Sequence, residues 1–296
     1  MRIHSTEVID TFAEAFEMWA ARVIVTAYSR EWALAAAHSM TGFATSVIGC
    51  KCEAGIECEI PSTETPDRRP GVSVLLFATS SDSVGKRLLE RIGQSVMTCP
   101  TTACYNGLEV AETVSVGGKL RYFGDGYQIS KRLKGKRYWR IPVMEGEFLV
   151  EDRFGIQAAV GGGNLLILGE HMPATLRATE AAVQAMRRVK GVILPFPNGI
   201  VRSGSKPGSR YKGLPASTND AYCPSLRAVV PKTQIGQTIG CVFEIVIDGL
   251  DLAAVEEAMR HGARAAAEHG AVQISAGNYG GHLGKYQIGL YKLFSD

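Results

Sequence analysis

In the run Cys241-Val-Phe-Glu-Ile-Val-Ile-Asp248 one acidic residue stands among valines. As a strand, its period-two alternation puts Cys241, Phe243, Ile245 and Ile247 on one face and Val242, Glu244 and Val246 on the other. A carboxyl in apolar company is costly to ionise, so its pKa rises toward the neutral range that a general acid/base needs. The alternative is a wet face on which Glu244 is an ordinary solvated charge.

Two loops are dense in hydrogen-bonding groups. Ser203 to Ser209 and Pro215 to Pro224 belong to one long polar connection, and long ordered loops tend to carry function. Ile274-Ser-Ala-Gly-Asn-Tyr-Gly-Gly-His-Leu-Gly284 follows a strand and holds four glycines that permit close backbone approach to a ligand. Gly161-Gly-Gly-Asn164 is similar. For each, a tight turn or bulge is the competing explanation.

His171 and His282 are candidate bases, but no Ser/His/Asp order and no G-x-S-x-G elbow points to a hydrolase triad. Cys99 and Cys104 are candidate nucleophiles that would need an electropositive setting. Cys50, Cys52 and Cys58 have no second Cys/His pair near them, so no metal site is assigned and buried thiols are the preferred account.

These residues need elements to hold them. In the first half, Arg22 to Tyr28 is strand-like, a helix near Trp32 to Met40 stops at Gly42, and Phe43 to Gly49 is a second strand candidate. A turn-rich stretch precedes the strand Val72 to Phe77. Val84, Leu88, Ile92 and Val96 then recur at helical spacing, with Ser81 and Asp82 as N-cap candidates.

The second half repeats the order. Asn164 to Leu168 is a strand, Pro173 opens a helix with Leu176, Thr179, Val183, Met186 and Val189 on one stripe, and Val192 to Val201 is extended. After the loop from Arg202 to about Ile239 comes the Glu244 strand. A helix from Asp251 carries Leu252, Val255, Met259, Ala263 and Ala266 on one face, and Val272 to Ala276 closes the set.

Two successive β-α-β-β-α-β units predict an α+β fold of two ferredoxin-like lobes with antiparallel sheets, residues 1–147 and 148–296. A doubly wound parallel sheet is the weaker alternative, because two strands separate paired helices and no G-x-G-x-x-G follows a first strand. Lys119 to Asp152 supplies additional strands, expected to link the lobes. A sheet with helices on one face only leaves its other face to be covered, and oligomerisation is the expected means.

Composition narrows the class. At 296 residues, 46% hydrophobic and 21% charged, the chain is that of a folded globular protein of about two domains. A net charge of +3 without long basic runs excludes a nucleic-acid footprint. No apolar run approaches the roughly 20 residues of a membrane span, and the first residues lack a secretory pattern, so a cytoplasmic protein is expected. Seven cysteines, odd and scattered, argue for reduced thiols.

Thr11-Phe-Ala-Glu-Ala-Phe16, Thr41 to Val47, Glu53-Ala-Gly-Ile56, Phe123-Gly-Asp-Gly-Tyr127, Glu145-Gly-Glu-Phe148, Pro215 to Pro224 and Ile274 to Gly281 together resemble the formylmethanofuran:tetrahydromethanopterin formyltransferase family, in the family's order along the whole chain. The resemblance implies an acyltransferase of one-carbon metabolism, in methanogenesis or formaldehyde oxidation. Its substrates would be a methanofuran-type carrier and tetrahydromethanopterin, with no permanently bound cofactor. It further implies a homotetramer built as a dimer of dimers, active sites near subunit boundaries, and an association with other subunits of a formyltransferase/hydrolase complex as a further option.

By the same resemblance Glu244 takes part in proton transfer, and Ser217, Thr218, Asn219, Asp220, Tyr222, Ser275, Gly277, Asn278, Gly280 and Gly281 contact substrate, with loop amides as oxyanion donors. Cys52, Arg68 and His282 depart from the pattern of archaeal members, which bears on contacts to the carrier tails. The rivals are a non-catalytic coenzyme-binding or scaffold subunit, and hydrolytic release of formate within a larger complex.

Overall fold

The structure, a computed structural model, describes residues 1–295. The chain is α+β and its described residues fall into two compact units: residues 18–159, and residues 1–17 together with those from 160 onward. The expected division into linear halves differs from this, because Met1–Glu17 belongs with the C-terminal half. Thr6–Val8 pairs in parallel with Gln273–Ser275, and Phe12 to Ala15 pairs antiparallel with Tyr286–Gly289.

In the unit 18–159 the strand order is Glu53–Ile60, Gly71–Ala78, Phe12–Thr26, Ala103–Asn106, with all three pairings antiparallel. This is the β-α-β-β-α-β order of a ferredoxin-like lobe, with helices Arg30–Thr41 and Ser81–Arg91 as its two crossovers. Three sequence expectations are corrected here. Phe43 to Gly49 is not a strand; its end enters the short helix Val47–Cys50, and the strand begins only at Glu53. The run is rich in β-formers, but Phe43 adopts φ 50° and the Ser46 side chain caps the short helix. The helix after Gly71–Ala78 is capped by Ser80, whose hydroxyl accepts from the Ser83 amide, so the cap lies one residue earlier than expected. Beyond Arg91 that helix continues as a π-helical turn, Ile92–Val96, which keeps Ile92 and Val96 buried.

The strands predicted between Lys119 and Asp152 exist, but they widen this unit's own sheet. Gly146–Glu151 pairs in parallel with Ala103–Asn106, then antiparallel with Lys136–Val143, which pairs with Ile129–Leu133.

The other unit has the order Val192–Ile193, Cys241–Gly249, Gln157–Gly169, Gln273–Ser275, again antiparallel throughout. Helices Met172–Met186 and Leu252–Glu268 cover one face, burying Ala178, Ala182, Val183 and Met186 from one and Val255, Met259, Ala263 and Ala266 from the other. Against them lie Leu165, Ile167, Ile245, Ile247 and Ile274. Asp251 caps the second helix by accepting from the Ala254 amide. Val192 to Val201 is extended only at its start and then turns at Pro197–Gly199. Prolines at 195 and 197 deny that segment two ladder donors.

The glycine run 161–163 is a β-bulge, where pairing with Cys241–Gly249 slips between Val160 and Gly163. Gly162 sits at φ 80°, and a Cβ there would come within 2.9 Å of the Phe16 ring.

The face of this sheet turned away from its helices is covered by its own chain. Leu166 and Leu168 form a buried cluster with Ile235 and Ile239, and Tyr222 and Val242 pack on it. The long loop is held down by several bonds. Arg227 donates to the carbonyls of Gln237, at 3.0 Å, and Ile239; Gln234 N–H donates to Ala221 O at 2.9 Å; Lys206 pairs with Asp220 at 2.6 Å. Intrachain cover thus meets a need that oligomerisation was expected to meet on this face.

Candidate active site

The sheet face under that loop carries Glu244. Register places Leu166 directly across from Glu244 on one side and from Ser275 on the other, so the three residues form a row over three strands. Val201 bridges to the backbone of Glu244, with Val201 N–H to Glu244 O at 2.7 Å and the reverse bond at 3.1 Å. This bridge brings Arg202, Ser203 and Gly204 beside the strand. They join Met172, Asn219, Tyr222, Cys223, Phe243 and Glu244 in lining a cavity of about 540 Å³. That volume lies in the usual range of ligand pockets.

Glu244 is half-buried, and desolvation alone pushes its carboxyl up to about 7. Val242 and Val246, which share its face, are half-buried as well. A carboxyl poised near neutrality can give or take a proton at little cost. Gly204 lies close by: a Cβ at that position would be 4.0 Å from Glu244 Oε2 and 3.5 Å from Asn219 Cβ, which leaves room for a ligand atom there.

The residues carried over from the resemblance divide into groups. Asn219 and Tyr222 line the cavity with Glu244. Ser275 adjoins them, its Oγ 3.4 Å from Tyr222 Oη. Ser217 pairs with Lys206 in a two-stranded ribbon, the Thr218 hydroxyl lies 3.5 Å from the Cys223 sulfur, and Asp220 is ion-paired with Lys206; these three stand behind the lining. Gly277 is clamped by Asn164, whose Oδ1 accepts from Gly277 N–H at 2.7 Å and whose Nδ2 donates to Gly277 O at 3.3 Å. Asn278 donates to Thr11 Oγ1 and Phe12 O, both at 3.1 Å, and accepts from Gly280 N–H.

Gly281 belongs to a cradle that the sequence did not disclose. The buried carboxylate of Glu14 accepts from the backbone N–H groups of Tyr279 at 2.7 Å, Gly281 at 3.1 Å, Leu283 at 2.5 Å and Gly284 at 2.6 Å. Burial alone would raise its pKa, but these bonds outweigh burial and hold it below the usual carboxylate value. The amides of Gly277, Tyr279, Gly280, Gly281, Leu283 and Gly284 are thus engaged by Glu14, Asn164 and Asn278. The Asn219 carboxamide and the Tyr222 hydroxyl are polar groups of residues on the cavity wall itself. The signal for Glu14 was faint, an acidic residue between Phe12 and Phe16 at strand spacing.

The remaining candidates carry less. His171 is the exposed N-cap of a helix and His282 is exposed, neither on the cavity wall. Burial raises the thiol pKa of Cys99 and, further, of Cys104, which disfavours the thiolate. In the unit 18–159 a cavity of about 730 Å³ has mostly apolar walls, and its carboxylates are engaged, Glu145 by the Thr101 amide and Glu147 by Arg140. Among the described residues no group of three His, Cys, Asp or Glu has the arrangement of a metal site.

The raised pKa of Glu244 has a stability consequence. An unfolded glutamate titrates near 4.5 and this one near 7, so the folded state binds more protons between those values. Stability therefore declines as pH rises through that window, by up to roughly 3 kcal/mol once the group is ionised. Glu244→Gln, measured by chemical denaturation, is expected to stabilise the protein at pH 8 and to leave it nearly unchanged at pH 4. An equal effect at both pH values would contradict the assignment.

The chain resembles known proteins along its whole length. Residues 1–143 match the family model described as formylmethanofuran-tetrahydromethanopterin formyltransferase, and residues 146–293 match the proximal lobe of the same family. The formylmethanofuran–tetrahydromethanopterin formyltransferase of Methylococcus capsulatus is 56% identical over 299 residues, covering 100% of both chains. That of Methanopyrus kandleri is 52% identical, covering 99% of this chain and 100% of its own. The solved formyltransferase from Methanosarcina barkeri superposes with a TM-score of 0.94 at 47% identity, over 99% of this chain and 100% of its own. A chain of the formyltransferase/hydrolase complex from Methylorubrum extorquens, solved with methylofuran, superposes with a TM-score of 0.94 at 52% identity, over 97% of this chain and 96% of its own. No helix of the described residues is long and apolar enough to cross a membrane. This chain belongs to the formylmethanofuran–tetrahydromethanopterin formyltransferase family.

Proposed function

We propose that the chain transfers a formyl group reversibly between the amine of a methanofuran-type carrier and N5 of tetrahydromethanopterin, with Glu244 as general acid/base. The observation that supports this most is a carboxyl poised near neutral pH on the wall of a ligand-sized cavity.

N5 of the pterin attacks the formyl carbon, and the carbonyl electrons move onto oxygen to give a tetrahedral oxyanion. The pterin nitrogen must then lose a proton, and the C–N bond to the furan amine must break. An amine anion is too poor a leaving group, so a proton has to reach that nitrogen as the bond opens. Protonated Glu244 supplies it and recovers one from the pterin nitrogen. Donors on the wall, with Asn219 and Tyr222 as candidates, stabilise the oxyanion. Holding both carriers together supplies the advantage of proximity, and the apolar surroundings that raise the Glu244 pKa also limit hydrolysis of the formyl group.

This chemistry needs no metal or prosthetic group, because both carriers are substrates. The likeness to a chain of a formyltransferase/hydrolase complex extends the proposal to assembly. The chain forms a homotetramer as a dimer of dimers in the cytoplasm, and membership of such a complex is a further option.

Two measurements test these statements. Glu244→Gln is expected to lower kcat for formyl transfer at least about a hundredfold with the fold intact, followed by absorbance of the formylated pterin; near-normal kcat would remove Glu244 from the mechanism. Light scattering of the purified chain is expected to give the mass of four subunits, and a persistent monomer would refute the tetramer.

A further inference from the structure

The loop that covers the Glu244 face is strongly basic. Residues 202–240 hold six Lys or Arg and a single acid, Asp220, so this one segment is more positive than the whole chain, whose net charge is +3. Such a field draws anions toward the site. Most of these cations are engaged within the loop or stand off the cavity. Lys206 is ion-paired with Asp220, and Arg227 donates to the carbonyls of Gln237 and Ile239. Arg210, Lys212 and Lys232 are exposed and do not line the cavity.

Arg202 differs from them. It lies on the wall of the cavity of about 540 Å³, and among the described residues its guanidinium has neither a hydrogen-bond acceptor nor an ion-pair partner. Its place is set by the backbone, because the preceding residue, Val201, exchanges two hydrogen bonds with Glu244, at 2.7 and 3.1 Å. Two residues further on, Gly204 leaves space beside the carboxyl, where a Cβ would stand 4.0 Å from Glu244 Oε2. Arg202 is the one basic residue of the cavity wall and Glu244 its one acidic residue. Glu244 titrates near 7, so at neutral pH it carries only part of a charge, whereas a guanidinium is always charged. The cavity is therefore positive where the protein itself supplies no counterion.

We propose that Arg202 is a specificity-determining residue: it anchors an anionic group, a carboxylate or a phosphate, on the remote part of one of the two carriers while the reacting nitrogen of that carrier lies at Glu244. The proposal rests on the reading of this cavity as the site of formyl transfer. The planar guanidinium presents a fork of donors that matches either anion. A contact remote from the reacting atoms is made equally in the ground and transition states, so it lowers KM and leaves kcat alone.

The test is steady-state kinetics of Arg202→Gln, Arg202→Lys and Glu244→Gln in the full-length enzyme, with each carrier varied in turn. Arg202 is exposed and without a partner among the described residues, so its replacement leaves the fold intact. Arg202→Gln is expected to raise KM for one carrier about tenfold or more, as loss of a hydrogen bond to a charged group does. KM for the other carrier and kcat should stay within about twofold, and the decline of kcat/KM with added salt should flatten. Arg202→Lys should recover part of the loss, since the charge remains while the fork is gone. Inorganic phosphate and glutarate, used as competitors of that carrier, tell the two anions apart: the stronger competitor names the group, and its competition should weaken about fivefold or more in Arg202→Gln. Unchanged KM for both carriers, an equal rise in both, a fall in kcat alone, or competition undiminished in Arg202→Gln would overturn the proposal. Normal kcat in Glu244→Gln sinks the reading of the cavity; impaired Glu244→Gln beside unchanged KM values in Arg202→Gln sinks the anion anchor alone.

Discussion

Desolvation of a single carboxyl group is the constraint around which the candidate site is arranged. Glu244 lies on the sheet face that its own lobe's helices leave open, and that face would be wet if the chain ended its work there. Instead the loop after Val201 folds back, and Ile235, Ile239 and Tyr222 seal Leu166 and Leu168 beneath it. What remains beside Glu244 is a partly open cavity lined by Arg202, Ser203, Gly204, Asn219 and Tyr222. The energetic cost of keeping a carboxylate there is the same quantity as its raised pKa, so stability above neutral pH and readiness for proton transfer trade against each other.

The same lobe holds a second buried carboxyl under the opposite regime. Glu14 is also withdrawn from solvent, yet four backbone N–H groups keep it ionised. Glu244 meets burial without that compensation and is driven toward the neutral acid. Two glutamates on strands of one lobe thus diverge because of what donates to them. One becomes a fixed anchor for backbone and the other a group free to exchange a proton.

Much of this was legible in the chain. Period-two spacing assigned Glu244 to the Val242 and Val246 face, and the order of strand and helix patterns gave both ferredoxin-like lobes. What spacing could not decide was whether that face was wet, since the answer depends on Ile235 and Ile239, which are distant in sequence from Leu166 and Leu168. Phe43 to Gly49 misled because its β-formers are overruled by a left-handed turn and a side-chain cap. Lys119 to Asp152 was correctly read as containing strands, but their partner, Ala103–Asn106, is a tertiary fact. Met1–Glu17 joining the C-terminal half is of the same kind. The glycine loop invited assignment as a ligand cradle, and its amides are instead turned inward to Glu14, Asn164 and Asn278. Glycine content reveals that backbone approaches something closely; it does not say whether that partner is a ligand or the protein itself.

Protonation of one side chain in the resting protein is the property on which the site's chemistry turns. Carboxyl carbons of glutamate, labelled with carbon-13 and followed by NMR between pH 3 and 9, report it directly, with the Glu244→Gln protein supplying the assignment. One resonance, missing from the variant, is predicted to titrate near 7 while exposed glutamates titrate near their ordinary values. If every glutamate carboxyl titrates in the ordinary range, the cavity wall is wet and Glu244 is a surface charge.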